Sequence, residues 1–320
     1  THDLKVTVLA DRRTPADLPI PPELEALHPI WEPHKLETIE ASVEVLARMA
    51  PHVVVLQYHP AYFAWETIET LIEEAVRQKA IVIITLHNVR WLSHQELRER
   101  RHARAALERV DRIIVHTVLD LNFLKQFGFI DNVVLMPQGV ALLEHLPADR
   151  GTALAPSPLI GCYGFFLPHK GIRALIEAFD EVRRIYPAAR LRLVNAEYPS
   201  PISAEEILRC RDLVERLGLS EVVEWHTQFL PHEESIALLA DCDVVVLPYE
   251  DTSEASSAAA RGALSSRRPV AVTPIQIFEE LGEAGYRLPG TDSRAIAKGL
   301  IDFLGDEALR KHTLSAALDW

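Results

Sequence analysis

The sequence predicts an α/β protein of two doubly wound domains, each a parallel sheet with helices on both faces. Three observations carry this. Apolar runs rich in Val and Ile recur along the chain and alternate with stretches of helical period, the pattern of a parallel sheet covered on both sides. The runs fall into two sets, separated by a stretch that has neither period. The 320 residues, 48% of them hydrophobic, suffice for two cores rather than one.

In the first set, strands are expected at "LKVTVLA" (Leu4–Ala10), "HVVVLQY" (His52–Tyr58), "AIVIITLHN" (Ala80–Asn88), "RIIVHT" (Arg112–Thr117) and "NVVLMPQGV" (Asn132–Val140). The apolar positions at Ile39–Met49, Ala64–Gln78 and His94–Arg109 repeat at helical spacing and make the crossovers. The Pro- and Ala-rich stretch "LPADRGTALAPSPL" then places a linker at 148–158, between a first domain over 1–147 and a second over 159–320. In the second set, the strands are "LIGCYGFF" (Leu159–Phe166), "RLRLVNAEY" (Arg190–Tyr198), "EVVEWHTQ" (Glu221–Gln228), "DVVVLPY" (Asp243–Tyr249) and "RPVAVTP" (Arg268–Pro274). Helices at Ile172–Ile185, Glu205–Leu217, Glu233–Ala240 and Ser256–Ser265 connect them. Ligands of such sheets bind outside the carboxyl ends of the strands, so the loops after each run and a cleft between two such domains are where function is expected.

Composition narrows the partners. Lys and Arg total 33 against 46 Asp and Glu, a formal charge of −13, which argues against nucleic acid. Cys162, Cys210 and Cys242 are isolated in apolar contexts, as buried thiols of a reducing, cytoplasmic protein would be. No apolar run reaches the roughly 18 residues of a spanning helix, and the start does not read as a signal peptide. The basic positions Arg98, Arg101 and Arg104 form a stripe that is either a solvated helix face or a peripheral contact with anionic lipid at the inner face of a membrane.

Two loops of the second domain suit an anion. "GCYGFFLPHKG" (Gly161–Gly171) offers close backbone approach at Gly164, the charge of Lys170 and a following helix N-terminus. "EDTSEASSAAARGALSSRRPV" (Glu250–Val270) puts Glu254 before small residues, with Ser256 and Ser257 able to cap the next helix. The pair Asp241 and Asp243 has the look of a metal-binding Asp-x-Asp, but it precedes its strand, so no metal is expected there.

With these blocks in their order, the chain resembles the retaining glycosyltransferases of family 4, whose GT-B fold sets two Rossmann-like domains face to face across a cleft. The blocks that carry the resemblance are "QYHPAYF", "VIITLHN", "NVVLMPQGV", "GFFLPHKGIRALIEAF", "LGLSEVVEWH", "ESIALLADCDVVVLPY" and "SEASSAAARGALSSRRPVAVT". The resemblance implies transfer of a sugar from a nucleoside diphosphate to a saccharide or lipid-linked acceptor, with no metal or other cofactor; the alternatives are a non-catalytic glycosyltransferase-like binding or scaffold module and a GT-B-type sugar-nucleotide epimerase. Glu254 matches the glutamate near the donor sugar, Lys170 the lysine on the donor phosphates, and His87 the histidine that faces the transferred sugar from the acceptor domain. Gly164, Phe165, Ala255, Ser256, Ser257, Arg261 and His226 are expected around the donor, and Gln57, Tyr58 and His59 on the acceptor side. Two departures stand out: Gly262 occupies the place of the family's ribose-holding glutamate, and Phe165 that of its loop arginine. "THDLKVTVLADRR" resembles the family's second strand, so the first strand and its glycine-rich loop are expected to be absent or to belong to a longer chain.

Overall fold

The protein is described by a computed structural model covering residues 4–14, 22, 24–33, 35–60, 62–89, 92, 101–143, 151–252 and 254–320. It divides into two compact units, Thr1–Pro137 and Gln138–Trp320.

The first unit opens with a parallel pair, β1 (Val6–Asp11) and β2 (Leu24–Trp31). After α1 (Leu36–Met49) come β3 (Val53–Tyr58), α2 (Trp65–Arg77), β4 (Ile81–Leu86), α3 (Arg101–Glu108), β5 (Arg112–Val115), α4 (Val118–Gln126) and β6 (Val133–Leu135). Strands β3 to β6 form one parallel sheet in chain order. Helix α2 shows why the sequence folds this way: Trp65, Ile68, Leu71, Ile72 and Ala75 repeat at three- and four-residue steps and are all buried, with Glu66 at the positive end and Arg77 at the negative. They pack on Val82, Ile84 and Leu86 of β4, each with no exposure. Among the described residues, β3 has one buried and one exposed face. Val54, Leu56 and Tyr58 are buried, whereas Val53 and Val55 on the other face are 46% and 54% exposed and Ile81 beside them is 51% exposed. His94 and Arg98 lie outside the described residues; Arg104, on α3, pairs with Glu108 at 2.7 Å.

The second unit carries β7 (Leu159–Phe165), α5 (Ile172–Ile185), β8 (Arg190–Ala196), α6 (Pro201–Arg216), β9 (Val223–His226), α7 (His232–Ala240), β10 (Val244–Leu247), α8 (Ala258–Ser265), β11 (Val270–Val272), β12 (Gly285–Arg287), α9 (Ser293–Gly305) and α10 (Glu307–Asp319). Its six parallel strands run in the order β12-β11-β10-β7-β8-β9. The chain starts in the middle, winds out through β8 and β9, returns to pair β10 with β7, and winds out the other way. The strand order therefore reverses between β7 and β10, and that switch point is where doubly wound sheets open a ligand crevice. Both faces here are covered: along β10, Val244 and Val246 join the core under α5, α6 and α9, while Val245 and Leu247 join the core under α7 and α8. The three cysteines are free and buried, and burial pushes each thiol up to about 12.

The segment 151–158 is tied to this unit. Asp243 accepts from the amides of Leu159 at 2.7 Å and Ala155 at 3.3 Å, and the Thr152 carbonyl accepts from Arg310 at 3.1 Å. Residues 148–150 of the expected linker lie outside the described residues. No helix among the described residues is long and apolar enough to cross a membrane.

Candidate active site

The loops after β7 and β10, the two strands at the switch point, are strapped together. The Glu250 amide donates to the His169 carbonyl at 2.9 Å. Gly171 ends the 3-10 turn Pro168–Lys170 at φ 68° and starts α5. A Cβ there would lie 1.8 Å from the Pro248 carbonyl oxygen, so glycine alone permits both the backbone angle and the approach.

This strap sets Lys170, 7% exposed, beside Glu254. Its Nζ donates to Glu254 Oε2 at 2.8 Å and lies 4.0 Å from the centre of the Tyr249 ring. His169 Nε2 is 3.3 Å from Glu254 Oε1, a close electrostatic contact without the alignment of a hydrogen bond. Burial raises the Glu254 carboxyl, but His169 and Lys170 together outweigh it and hold the group at about 2. Ser257, 2% exposed, caps α8 by accepting from the Ala260 amide at 3.2 Å, and its hydroxyl lies 3.4 Å from Tyr249 Oη.

A cavity of about 540 Å³ opens here, lined among others by Gly164, Phe165, Lys170, Glu254, Ser256 and Ser257. It is large enough for a small organic ligand. Phe165 stands edge-on to Tyr198 at 5.3 Å and stacks with Phe229 at 6.1 Å, and Phe229 is 78% exposed. Where the resemblance expects a cation, the cavity wall is thus aromatic.

Other expected residues are placed elsewhere. Ala255 is not among the cavity-lining residues. Arg261 turns away: it is 5% exposed, pairs with Glu280 at 2.8 Å, and its guanidinium lies 5.1 Å from the Trp320 ring centre. His226 bonds Glu224 at 2.6 Å, and Glu224 in turn holds Arg192 at 2.9 Å. Gly262 has a steric reason to be glycine, since a Cβ would meet the Tyr163 ring at 2.4 Å. Tyr163 itself lines the cavity, so the aromatic ring stands in the space that a residue at 262 would need.

In the first unit, His87 follows β4, half-buried, with its backbone amide donating to Tyr58 O at 3.1 Å. Its ring lies between Gln57, 2.8 Å from Nε2, and His116, 3.1 Å from Nδ1. Burial first, then the His116 and His59 rings, push it down to about 4, so it is neutral at physiological pH. His59 is half-buried, with its ring 5.8 Å from that of Tyr62. Tyr58, expected on the acceptor side, is instead a core residue, 2% exposed and edge-on to Trp65 at 5.2 Å. His116 and Tyr163 were not singled out by the sequence. Each acts through a neighbour on another element, which no local motif announces.

Comparison with known proteins agrees with this picture. Residues 157–306 match the family of glycosyl transferases group 1, and residues 34–137 match the N-terminal domain of the glucosyltransferase 3-like family. The chain is 30% identical over 152 residues to a D-inositol 3-phosphate glycosyltransferase of Segniliparus rotundus, a match that takes in 45% of this chain and 33% of that protein, so about a third of the relative's length is represented. Sucrose-phosphate synthase from Thermosynechococcus elongatus is similar with a TM-score of 0.73 at 21% identity, over 98% of this chain and 82% of that one. The Anabaena protein HepE, solved in complex with UDP, is similar with a TM-score of 0.68 at 16% identity, over 88% of this chain and 76% of that one. At such identities the two structures speak for the fold. Residues 157–306 thus match the group 1 family, and the chain shares the GT-B fold of these solved structures.

Proposed function

We propose that the protein moves a sugar from a nucleoside diphosphate to a saccharide or lipid-linked acceptor with retention of anomeric configuration, in surface polysaccharide or glycan assembly at the cytoplasmic side. The observation that carries this reading is the Lys170–Glu254 pair in a cavity at the sheet's switch point. The diphosphate of an incoming donor takes the place of the Glu254 carboxylate on Lys170 Nζ. Released from the lysine, Glu254 accepts hydrogen bonds from the donor sugar's hydroxyls.

As the glycosidic C–O bond breaks, its electrons pass to the leaving diphosphate. Lys170 and the positive end of α8 stabilise the charge that develops there. No carboxylate of the first unit is assigned as a nucleophile. The acceptor hydroxyl therefore attacks from the face the diphosphate leaves, giving up its proton to the departing phosphate, with His87 orienting the hydroxyls. UDP, named with the Anabaena protein, is the first nucleotide to try.

Turnover with a sugar-nucleotide panel tests the assignment: Lys170→Ala and Glu254→Ala should each lower it about a hundredfold or more, and near-parental rates in both would remove it. The Tyr163 ring over Gly262 and the aromatic Phe165 favour a second reading, a module that binds a sugar nucleotide without transferring the sugar. Binding with no transfer in the full-length protein would select it.

A further inference from the structure

Two histidines from adjacent strands of the first sheet stand end to end. His87 follows β4 and His116 follows β5, strands that pair in register through Thr85 and Ile114. His116 is 8% exposed, and its Nδ1 lies 2.9 Å from the Met136 carbonyl. A carbonyl only accepts, so His116 carries a proton on Nδ1. In the neutral ring its Nε2 is then a bare lone pair, and the group it faces, 3.1 Å away, is His87 Nδ1. A lone pair needs a donor, which fixes the His87 proton on Nδ1 as well. Nε2 of His87 is left unprotonated, 2.8 Å from the position the structure gives to Gln57 Oε1, with Gln57 Nε2 placed toward Thr85.

The two ends of an amide have the same shape, so its orientation follows from the hydrogen bonds it can make. With the Gln57 nitrogen toward His87, the nitrogen donates to Nε2. The amide oxygen then takes the position 3.3 Å from Thr85 Oγ1 and accepts from that hydroxyl. The chain from Thr85 through Gln57, His87 and His116 to the Met136 carbonyl is then fully matched, donor to acceptor, with both rings neutral. The opposite amide orientation turns an oxygen toward His87 Nε2 and requires a cation on one of the two rings. On His87 that cation would be half-buried against the His116 ring; on His116 it would be a buried charge with a ring nitrogen and a carbonyl as its partners.

We propose that His116 is a positioning residue that holds His87 in its Nδ1–H tautomer, leaving Nε2 as a lone pair that accepts the O–H of a substrate hydroxyl when that hydroxyl displaces the exposed Gln57 amide. Free imidazole favours the other tautomer, so the arrangement needs a partner to impose it. The identity of the hydroxyl, on donor sugar or acceptor, rests on the proposed glycosyl transfer; the tautomer does not.

Long-range ¹H–¹⁵N correlation spectra of the ¹⁵N-labelled protein at pH 7 read each ring nitrogen directly. Both histidines are expected neutral, with a protonated Nδ1 and a bare Nε2. His116→Phe removes the acceptor and should return His87 to a mainly Nε2–H form, while His116→Gln, whose amide oxygen can accept, should restore Nδ1–H. An Nε2–H ring or a cation at either position in the parent protein overturns the proposal, as does an unchanged His87 in a folded His116→Phe protein. Should that variant not fold, the parent spectrum decides alone. Expected tautomers in a protein that binds no sugar nucleotide would leave the His116 assignment standing and remove the transfer reading instead.

Discussion

Glu254 illustrates how a few contacts settle a residue's chemistry. Its carboxyl is held at about 2 by His169 and Lys170 against the effect of burial. A depressed carboxylate contributes stability that is present above the ordinary value near 4.5 and lost as pH falls through 2. The Glu254 carboxylate therefore keeps its charge well below neutral pH. His87 has a linkage of the same sign in a higher pH window, with the neutral form as the favoured one. Its folded value, about 4 against an ordinary 6.5, means that the unfolded chain takes up the proton first as pH falls. The ring's contribution is full above 6.5 and lost on the way down to 4, by roughly 1–2 kcal/mol once its partial exposure is allowed for. Chemical denaturation from pH 7 to pH 4 should show a smaller loss of stability in His87→Gln than in the parent protein; equal losses would contradict the shift. Glu254, Lys170 and His87 were legible because each ends or follows a strand-like run. His116 was not, since its role depends on Met136 and His87, which belong to other strands.

At the scale of the element, the loops at the switch point work because glycines let backbone and ring come close. Gly171→Ala places a methyl carbon 1.8 Å from the Pro248 carbonyl oxygen at a positive φ, and should cost about 3 kcal/mol or more in thermal unfolding. Gly262→Ala meets the Tyr163 ring at 2.4 Å and should cost about 1–3 kcal/mol. In a Tyr163→Ala background most of that cost should vanish, because the clashing ring is gone; a coupling energy near zero would show that Gly262 is glycine for another reason. The sequence alone presented Gly262 as a lost glutamate, since a string of residues does not reveal that a ring from β7 fills the space.

Elements differ in the same way. The all-apolar run at β10 announced a strand with two covered faces, and the structure buries all four of its residues. β2, "LEALHPIW", carries no clear strand pattern: Pro29 and His28 interrupt it, and its residues are half-buried or exposed. The last two helices were not among the expected elements; Asp292 and Asp306 cap them, their side chains accepting from the Ala295 and Leu309 amides at 3.0 and 2.9 Å.

For the whole molecule, two sets of parallel strands were readable from hydrophobic runs, but strand order was not, since it depends on long-range pairing. The second sheet reverses between β7 and β10, and that reversal explains why the lysine loop and the glutamate loop, 84 residues apart at Lys170 and Glu254, form one cavity. In the first unit, β1 and β2 form a separate two-stranded sheet, and among the described residues one face of β3 is exposed. Calorimetric titration of nucleoside diphosphates, UDP first, into the parent protein and Lys170→Ala examines the donor site without needing to know the acceptor. The parent should bind one nucleotide with a dissociation constant in the micromolar range, about −8 kcal/mol, and Lys170→Ala should weaken it at least about tenfold, as loss of a charge-assisted contact requires. No binding across the panel, or equal binding by both proteins, would contradict a phosphate site at Lys170.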